Sequence, residues 1–306
     1  MRRITLLAVV VFALVGVMAF ADDMAAPALT WSGSLFSGVQ FDNSTTAGTT
    51  TAKLWDVDNG HPADFWIDGA LSGKLAGLKF ELDTTDGATV ATDVLYGWWK
   101  PIDMLTVTGG IGYGDIYTTP IEGWGHGAPG IQVALSPIDG LNVGGSYIAN
   151  TTAAAVGADV VVAGSYAAPN LVTVGGGYDV GGDYAWAGVN VTAVKGLTAE
   201  VDFEDTTSAG GNMRVEGNVG YAVGSLSPAV WVYYQSVGTA WGVKPNVSYA
   251  MGSVTPAAYF QYNADGSMAL GANAAIAAEK QTVYVYGDFN LPANTWDFGV
   301  NFRMAF

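Results

Sequence analysis

Charged side chains recur at alternate positions along this chain. Glu81 and Asp83 are two residues apart, as are Glu200, Asp202 and Glu204, and Arg214 and Glu216. Asp288 and Asp297 fall in comparable runs near the C-terminus. Carboxylates so placed could move protons, hold a cation or set the field of a channel. Conventional catalysis finds little support beside them. The two histidines, His61 and His126, have no nucleophile at a supporting spacing. There is no cysteine, so thiolate nucleophiles, zinc–thiolate sites, iron–sulfur clusters, disulfides and a lipoprotein anchor are all excluded. Asp56-Val57-Asp58-Asn59-Gly60 begins like a calcium loop but lacks the later ligands and the distal Glu. Val174-Gly175-Gly176-Gly177 is followed by neither a helix nor Lys-Ser/Thr, so it is no phosphate cradle. The expectation is a protein that is not an enzyme and carries no cofactor or metal.

The elements that present these charges have period two. In the last stretch Trp296, Phe298, Val300, Phe302, Met304 and Phe306 alternate with Asp297, Gly299, Asn301, Arg303 and Ala305. Successive side chains of a strand face opposite sides, so one face is oily and the other polar or small. The same pattern sets Leu78, Phe80 and Leu82 against Lys79, Glu81 and Asp83. It sets Ala199, Val201 and Phe203 against Glu200, Asp202 and Glu204, and Met213 and Val215 against Arg214 and Glu216. Val283, Val285 and Phe289 likewise oppose Tyr284, Tyr286 and Asp288.

Composition narrows what such strands can build. Half of the 306 residues are hydrophobic and 12% are charged, against about 25% charged in an ordinary globular domain. Disorder is excluded by that hydrophobicity. With 11 basic against 27 acidic residues, nucleic acid is excluded as a partner. Met1-Arg2-Arg3, an apolar run to Met18 and Ala19-Phe20-Ala21 form an export signal, expected to be cleaved after Ala21. Residues 1–21 are then the signal peptide and 22–306 the mature protein, whose charge moves from −16 to −18 with the loss of Arg2 and Arg3. No later apolar run approaches the roughly 18 residues of a membrane helix. Alternating segments of about ten residues between turns are instead the signature of a transmembrane β-barrel. A soluble sandwich of two sheets also alternates. Against it stand the chain's length and the aromatics at strand ends, Tyr96-Trp98-Trp99, Tyr249 and Phe306, which read as interfacial girdles.

Turn signals give the strand count. They centre near residues 75, 101, 138, 169, 195, 224, 252 and 280, which with position 306 bound eight intervals, and two carry the repeat Pro-Ile-Asp-x-Leu at 101–105 and 137–141. Each interval fits two spanning strands and one opposite loop, giving sixteen strands. Leu29–Phe41 and Asp64–Ser72 add two more. The expectation is an all-β, antiparallel, up-and-down barrel of about eighteen strands with both termini periplasmic. Sixteen stays open, because alternation is weak over residues 153–193.

The signal, the periodic hairpins and the terminal Trp296…Phe306 strand resemble those of Gram-negative outer-membrane porins, and the overall tone is similar to spirochaete-type porins. The resemblance implies Sec export, residence in outer-membrane lipid, and insertion by the β-barrel machinery. That machinery would recognise the last strand through Trp296, Phe298, Phe302 and Phe306. It also implies a homotrimer, with a monomer left open, and a third loop folded into the lumen. Here that loop, about 114–130, carries Asp115, His126 and the segment Pro120-Ile121-Glu122-Gly123, which is similar but not identical to the family's acidic constriction segment. An arginine ladder facing it cannot be built, since Arg214 and Arg303 are the only arginines after the signal.

By parity the residues expected to line the pore are Lys79, Glu81, Asp83, Glu200, Asp202, Glu204, Arg214, Glu216, Lys244, Asp288, Asp297 and Arg303. Acidic rings enrich cations and repel anions. The expected function is passive diffusion of small hydrophilic solutes and ions through a water-filled channel with a mild cation preference. The alternative is a structural or adhesive surface barrel with little channel activity. Tyr284 and Tyr286 could serve a sugar slide, but no run of aromatics demands one.

Overall fold

In the computed structural model the described residues are 28–43, 50–54, 63–85, 89–114, 116–117, 129–150, 157–206 and 211–306. They begin with β1 (Ala28–Asp42), β2 (Thr51–Leu54), β3 (Ala63–Ser72), β4 (Ala76–Thr85), β5 (Thr89–Ile102) and β6 (Leu105–Ile111). Next come β7 (Gly130–Leu135), β8 (Leu141–Asn150), β9 (Gly157–Ala168), β10 (Val172–Asp179), β11 (Tyr184–Val191) and β12 (Leu197–Thr206). The last are β13 (Asn212–Tyr221), β14 (Leu226–Gln235), β15 (Ala240–Tyr249), β16 (Val254–Asn263), β17 (Met268–Ala278), β18 (Gln281–Leu291) and β19 (Thr295–Ala305).

From β3 onward each strand pairs antiparallel with the next, and β1 closes the ring. One edge of β1 pairs with β19, from Ser34↔Ala305 to Asp42↔Asp297. Its other edge pairs with β3 over Ala28–Ser37 and with β2 over Val39–Asp42. The result is a closed barrel of eighteen strands, with the short β2 continuing the β3 edge along the end of β1. A two-sheet sandwich is thereby overturned. The sixteen-strand alternative falls too, because β9, β10 and β11 occupy the stretch of weak alternation and pair in register.

All eight expected turns join consecutive strands at one end of the barrel. Two of them, Val223–Leu226 and Met251–Val254, are two-residue hairpins in which the flanking residues exchange backbone hydrogen bonds of 2.7–3.1 Å. Gly224 and Gly252 occupy the first central position, at φ 60° and 61°. That position of a primed turn needs positive φ, which glycine supplies without steric cost.

The two faces separate cleanly. On β19 Phe298, Val300 and Phe302 are 44%, 40% and 37% exposed, whereas Asn301 between them is 2% exposed. Exposed apolar rows of this kind run round the whole sheet and form its outer face. Trp31, Trp99, Tyr166, Tyr221, Tyr249 and Phe306 ring that face near the tight turns. Phe41, Tyr147, Tyr178, Trp241, Tyr262 and Phe298 ring it near the opposite loops. Aliphatic side chains such as Val133, Val162, Val201, Val232 and Val300 fill the band between. Tyr96 and Trp98 correct the girdle expectation. They pair with Lys79 or Gly110 and with Gly77 or Thr108 on the inner face, and only their neighbour Trp99 points outward.

Much of the glycine has a packing reason. Trp98 lies against Gly77, Trp186 against Gly177, Tyr233 against Gly242, Tyr259 against Gly271 and Tyr286 against Gly299. In each pair the glycine sits on a neighbouring strand, and a Cβ there would fall inside the ring. Gly177→Ala is expected to lower stability by about 1–3 kcal/mol through overpacking against Trp186. Gly109→Ala, whose added Cβ would meet nothing nearer than 3.9 Å, is expected to show no such loss. Urea unfolding of the refolded protein, followed by tryptophan fluorescence, separates the two.

Candidate functional site

Residues paired across strands share a face, so the inner wall can be read row by row. On β12 to β15 three rows stack. Glu204, Arg214 and Gln235 make one, and Trp186 of β11 extends it. Asp202, Glu216 and Tyr233 make the next, and Glu200, Asn218, Trp231 and Lys244 the third. The structure thus brings Glu200, Asp202, Glu204, Arg214 and Glu216 into one acidic patch. Arg214 ion-pairs with Glu216 along the same strand. Trp231 Nε1 donates to Glu216 Oε2 at 3.1 Å. Asp202 is 3% exposed, at the centre of the patch.

The remaining candidates stand elsewhere on the wall. Lys79, Glu81 and Asp83 face Ala70, Asp68 and Trp66 across β3 and β4. Asp288, Asp297 and Asp42 form a row across β18, β19 and β1. Tyr259 donates its hydroxyl to Asp288, and Lys53 Nζ lies 3.3 Å from Asp42 Oδ2. Arg303, opposite Phe36, places its guanidinium 4.7 Å from the Phe36 ring centroid and 5.7 Å from that of Trp66. Lys244 Nζ sits 4.0 Å from the Tyr259 centroid. Two of the inner cations are therefore spent on aromatic faces, and Arg214 on Glu216. The arrangement is a distributed field with acid in excess, divided among several patches.

The loop after β6 turns inward at its base. Tyr113, 1% exposed, packs its hydroxyl end against Gly130 on β7. Ile116 lies against Gly144 on β8, and the Tyr117 ring against Gly175 on β10. Trp186 Nε1 donates to the Tyr117 carbonyl at 2.9 Å. Gly130, Gly144 and Gly175 all lie on the inner face, so their missing side chains make a bed for this segment. Burial pushes the Tyr117 phenol up to about 12, and Asp202 and Glu200 add to the shift. The expected constriction residues Asp115, Pro120, Glu122 and His126 lie outside the described residues, as do His61 and residues 1–21.

Of the residues expected to carry the insertion signal, Phe298, Phe302 and Phe306 are exposed on the outer face, and Trp296 pairs with Phe289 on the same face. Phe306 also exchanges backbone hydrogen bonds with Gly33, at 3.0 and 3.2 Å. Sequence reasoning missed the inner aromatics Phe36, Trp66, Trp186, Trp231 and Tyr259. Their parity with the charged rows was the available signal. It also missed the loop anchor, whose signal was glycine at inner positions of β7, β8 and β10. Trp186→Phe removes one hydrogen bond, worth about 1 kcal/mol. Protease cleavage after Tyr117 is expected to quicken by about fivefold, read as the rate of fragment appearance on gels.

No protein-family model and no curated protein matches the chain. Solved structures do. A variant of the porin of Rh. blastica matches with a TM-score of 0.55 at 17% identity, covering 91% of this chain and 100% of that one. OccAB3 of Acinetobacter baumannii matches with a TM-score of 0.63 at 10% identity, covering 91% and 99%. At such identities the likeness is one of fold, and the fold is the closed antiparallel barrel of the bacterial porins.

Proposed function

We propose that this barrel is an outer-membrane channel for passive diffusion of small hydrophilic solutes and ions, with a mild preference for cations. The observation that carries the reading is the outer face: a closed ring of strands whose exposed apolar band lies between two aromatic belts. Such a band is costly in water and favourable in lipid, with aromatic rings at the two interfaces. Closure is what a sheet in hydrocarbon requires, since lipid satisfies no backbone edge. A barrel of this strand number is wide enough to enclose an aqueous channel.

Residues 1–21 act as the cleaved export signal in this reading. The tight-turn end, where Ala28 and Phe306 lie, faces the periplasm. The exposed Phe298, Phe302 and Phe306, with Trp296, present the strand that the insertion machinery takes up. A homotrimer is consistent with the porin fold. Along the inner wall the patches around Asp202 and around Asp288 and Asp297 draw cations in and turn anions away. Among the described residues, nothing in the inner wall is arranged for bond-making chemistry.

Two measurements test this. In planar bilayers under a KCl gradient, the reversal potential is expected to carry the sign of potassium selectivity. Combined Glu200→Gln, Asp202→Asn and Glu204→Gln should move it towards zero. Anion selectivity in the parent protein would overturn the cation preference, and absence of conductance would favour the structural surface barrel. Val232→Lys, in the middle of the outer band, is expected to cost about 2–4 kcal/mol of stability in lipid, measured by unfolding in vesicles.

A further inference from the structure

The inner wall holds one recess whose chemistry the acidic field does not explain. Asn218 on β13, Trp231 on β14, Lys244 and Asn246 on β15 and Gln261 on β16 line a cavity of about 410 Å³. Asn218, Trp231 and Lys244 are one cross-strand row. The volume falls in the range of small-molecule pockets, roughly 300–1,000 Å³. The site is held in place from behind. Trp231 is fixed by its 3.1 Å hydrogen bond to Glu216 and by Tyr233, whose ring centroid is 4.9 Å away. Lys244 is held over Tyr259, and Tyr259 in turn donates to Asp288. Gln261 Nε2 donates to Asn263 Oδ1 at 3.0 Å.

Charge decides among ligand classes. A cation entering the recess meets the Lys244 ammonium. An anion must cross a wall that carries Glu200 in the row of Asn218, Trp231 and Lys244, and Asp202, Glu216 and Asp288 in the rows beside it. An uncharged solute meets neither barrier. Three amides, each offering a donor and an acceptor, suit hydroxyl groups, which are themselves both. An indole beside them suits the C–H face of a sugar ring, an apolar surface with a polar rim. We propose that this recess is a binding subsite for an uncharged, hydroxyl-rich solute, a mono- or disaccharide, on the wall of the channel. The inference rests on the channel reading and deepens it, since a subsite of this kind makes diffusion of such solutes saturable.

The test uses the refolded full barrel in planar bilayers with maltose as the probe and sodium gluconate as its charged counterpart. Maltose is expected to reduce the ion current saturably in the millimolar range. Block is read relative to each variant's own open current. Trp231→Ala should weaken it about tenfold, as loss of an aromatic contact predicts. Asn246→Ala is the second variant, in case removal of the indole disturbs folding. A conducting protein whose current falls only in proportion to solution viscosity, equally in parent and variants, overturns the subsite and leaves the channel standing. Block by gluconate but not maltose, abolished by Lys244→Gln, overturns it in favour of an anion site. If the barrel does not conduct, the channel reading fails. Calorimetric titration of the detergent-refolded protein with maltose then decides the subsite. Heat that disappears in Trp231→Ala upholds it, and absence of heat in the parent overturns it.

Discussion

A β-strand has two hydrogen-bonding edges, and in this chain every strand of the ring has both edges paired. The remaining features depend on that condition. Residues opposite one another across a ladder share a face, so once the ring closes, one parity runs round the strands, interrupted on β5 where its register against β4 shifts between Glu81 and Leu82 and against β6 between Trp99 and Ile102. A slip by a single residue anywhere would turn an apolar row inward and a charged row outward. The registers are therefore held by the outer band, and the inner wall must accept whatever neighbours those registers impose. Asp288, Asp297 and Asp42 are brought side by side in this way. Lys53 beside Asp42 and the Tyr259 hydroxyl on Asp288 offset part of the repulsion.

The inner wall shows how few cations can serve many acids without cancelling them. Arg303 rests on Phe36 and Trp66, and Lys244 on Tyr259. A cation over a ring is stabilised without consuming a carboxylate. The acidic field survives for that reason. Glycine performs the complementary task. Where an inner tryptophan or tyrosine would otherwise stand up from the wall, a glycine on the next strand lets the ring lie against the sheet. The rings thus add apolar surface to the wall while projecting less into the lumen. Gly130, Gly144 and Gly175 use the same device for a different purpose, seating the base of a loop.

The succession of hairpins and the eight turns were legible in the residues themselves, because alternation and turn chemistry are local, whereas Asp42, Lys53 and Asp68 were not read as neighbours of the inner acids. Glu200, Asp202 and Glu204 needed only their apolar neighbours to be placed. The region of β9 to β11 was harder to read. Its inner positions are filled by Gly175, Gly177 and Ala163, small residues chosen to fit Tyr117 and Trp186 from elsewhere in the chain. Nothing within those strands announces that partner. Tyr96 and Trp98 misled for a related reason: aromatics are used on both faces near the same rim, and only strict parity with Trp99 tells them apart. Which amides and rings would enclose a recess depends on cross-strand register over four strands, a non-local property no single segment contains.

The seam between β1 and β19 gives the barrel an order of events. All other neighbours in the ring from β3 onward are consecutive hairpins, which can form as soon as each pair of strands is adjacent. The seam joins Ser34 to Ala305 and Gly33 to Phe306, residues from opposite ends of the described chain. By the logarithmic law for loop closure, joining them costs about 3 kcal/mol more entropy than closing a short hairpin. Closing the seam therefore carries the largest loop-closure cost of the pairings in the ring. Until it occurs, the sheet has two long unpaired edges, each a template for another chain. The backbone hydrogen bonds between Gly33 and Phe306, with the β1–β19 ladder beside them, stand between a finished ring and an aggregating ribbon.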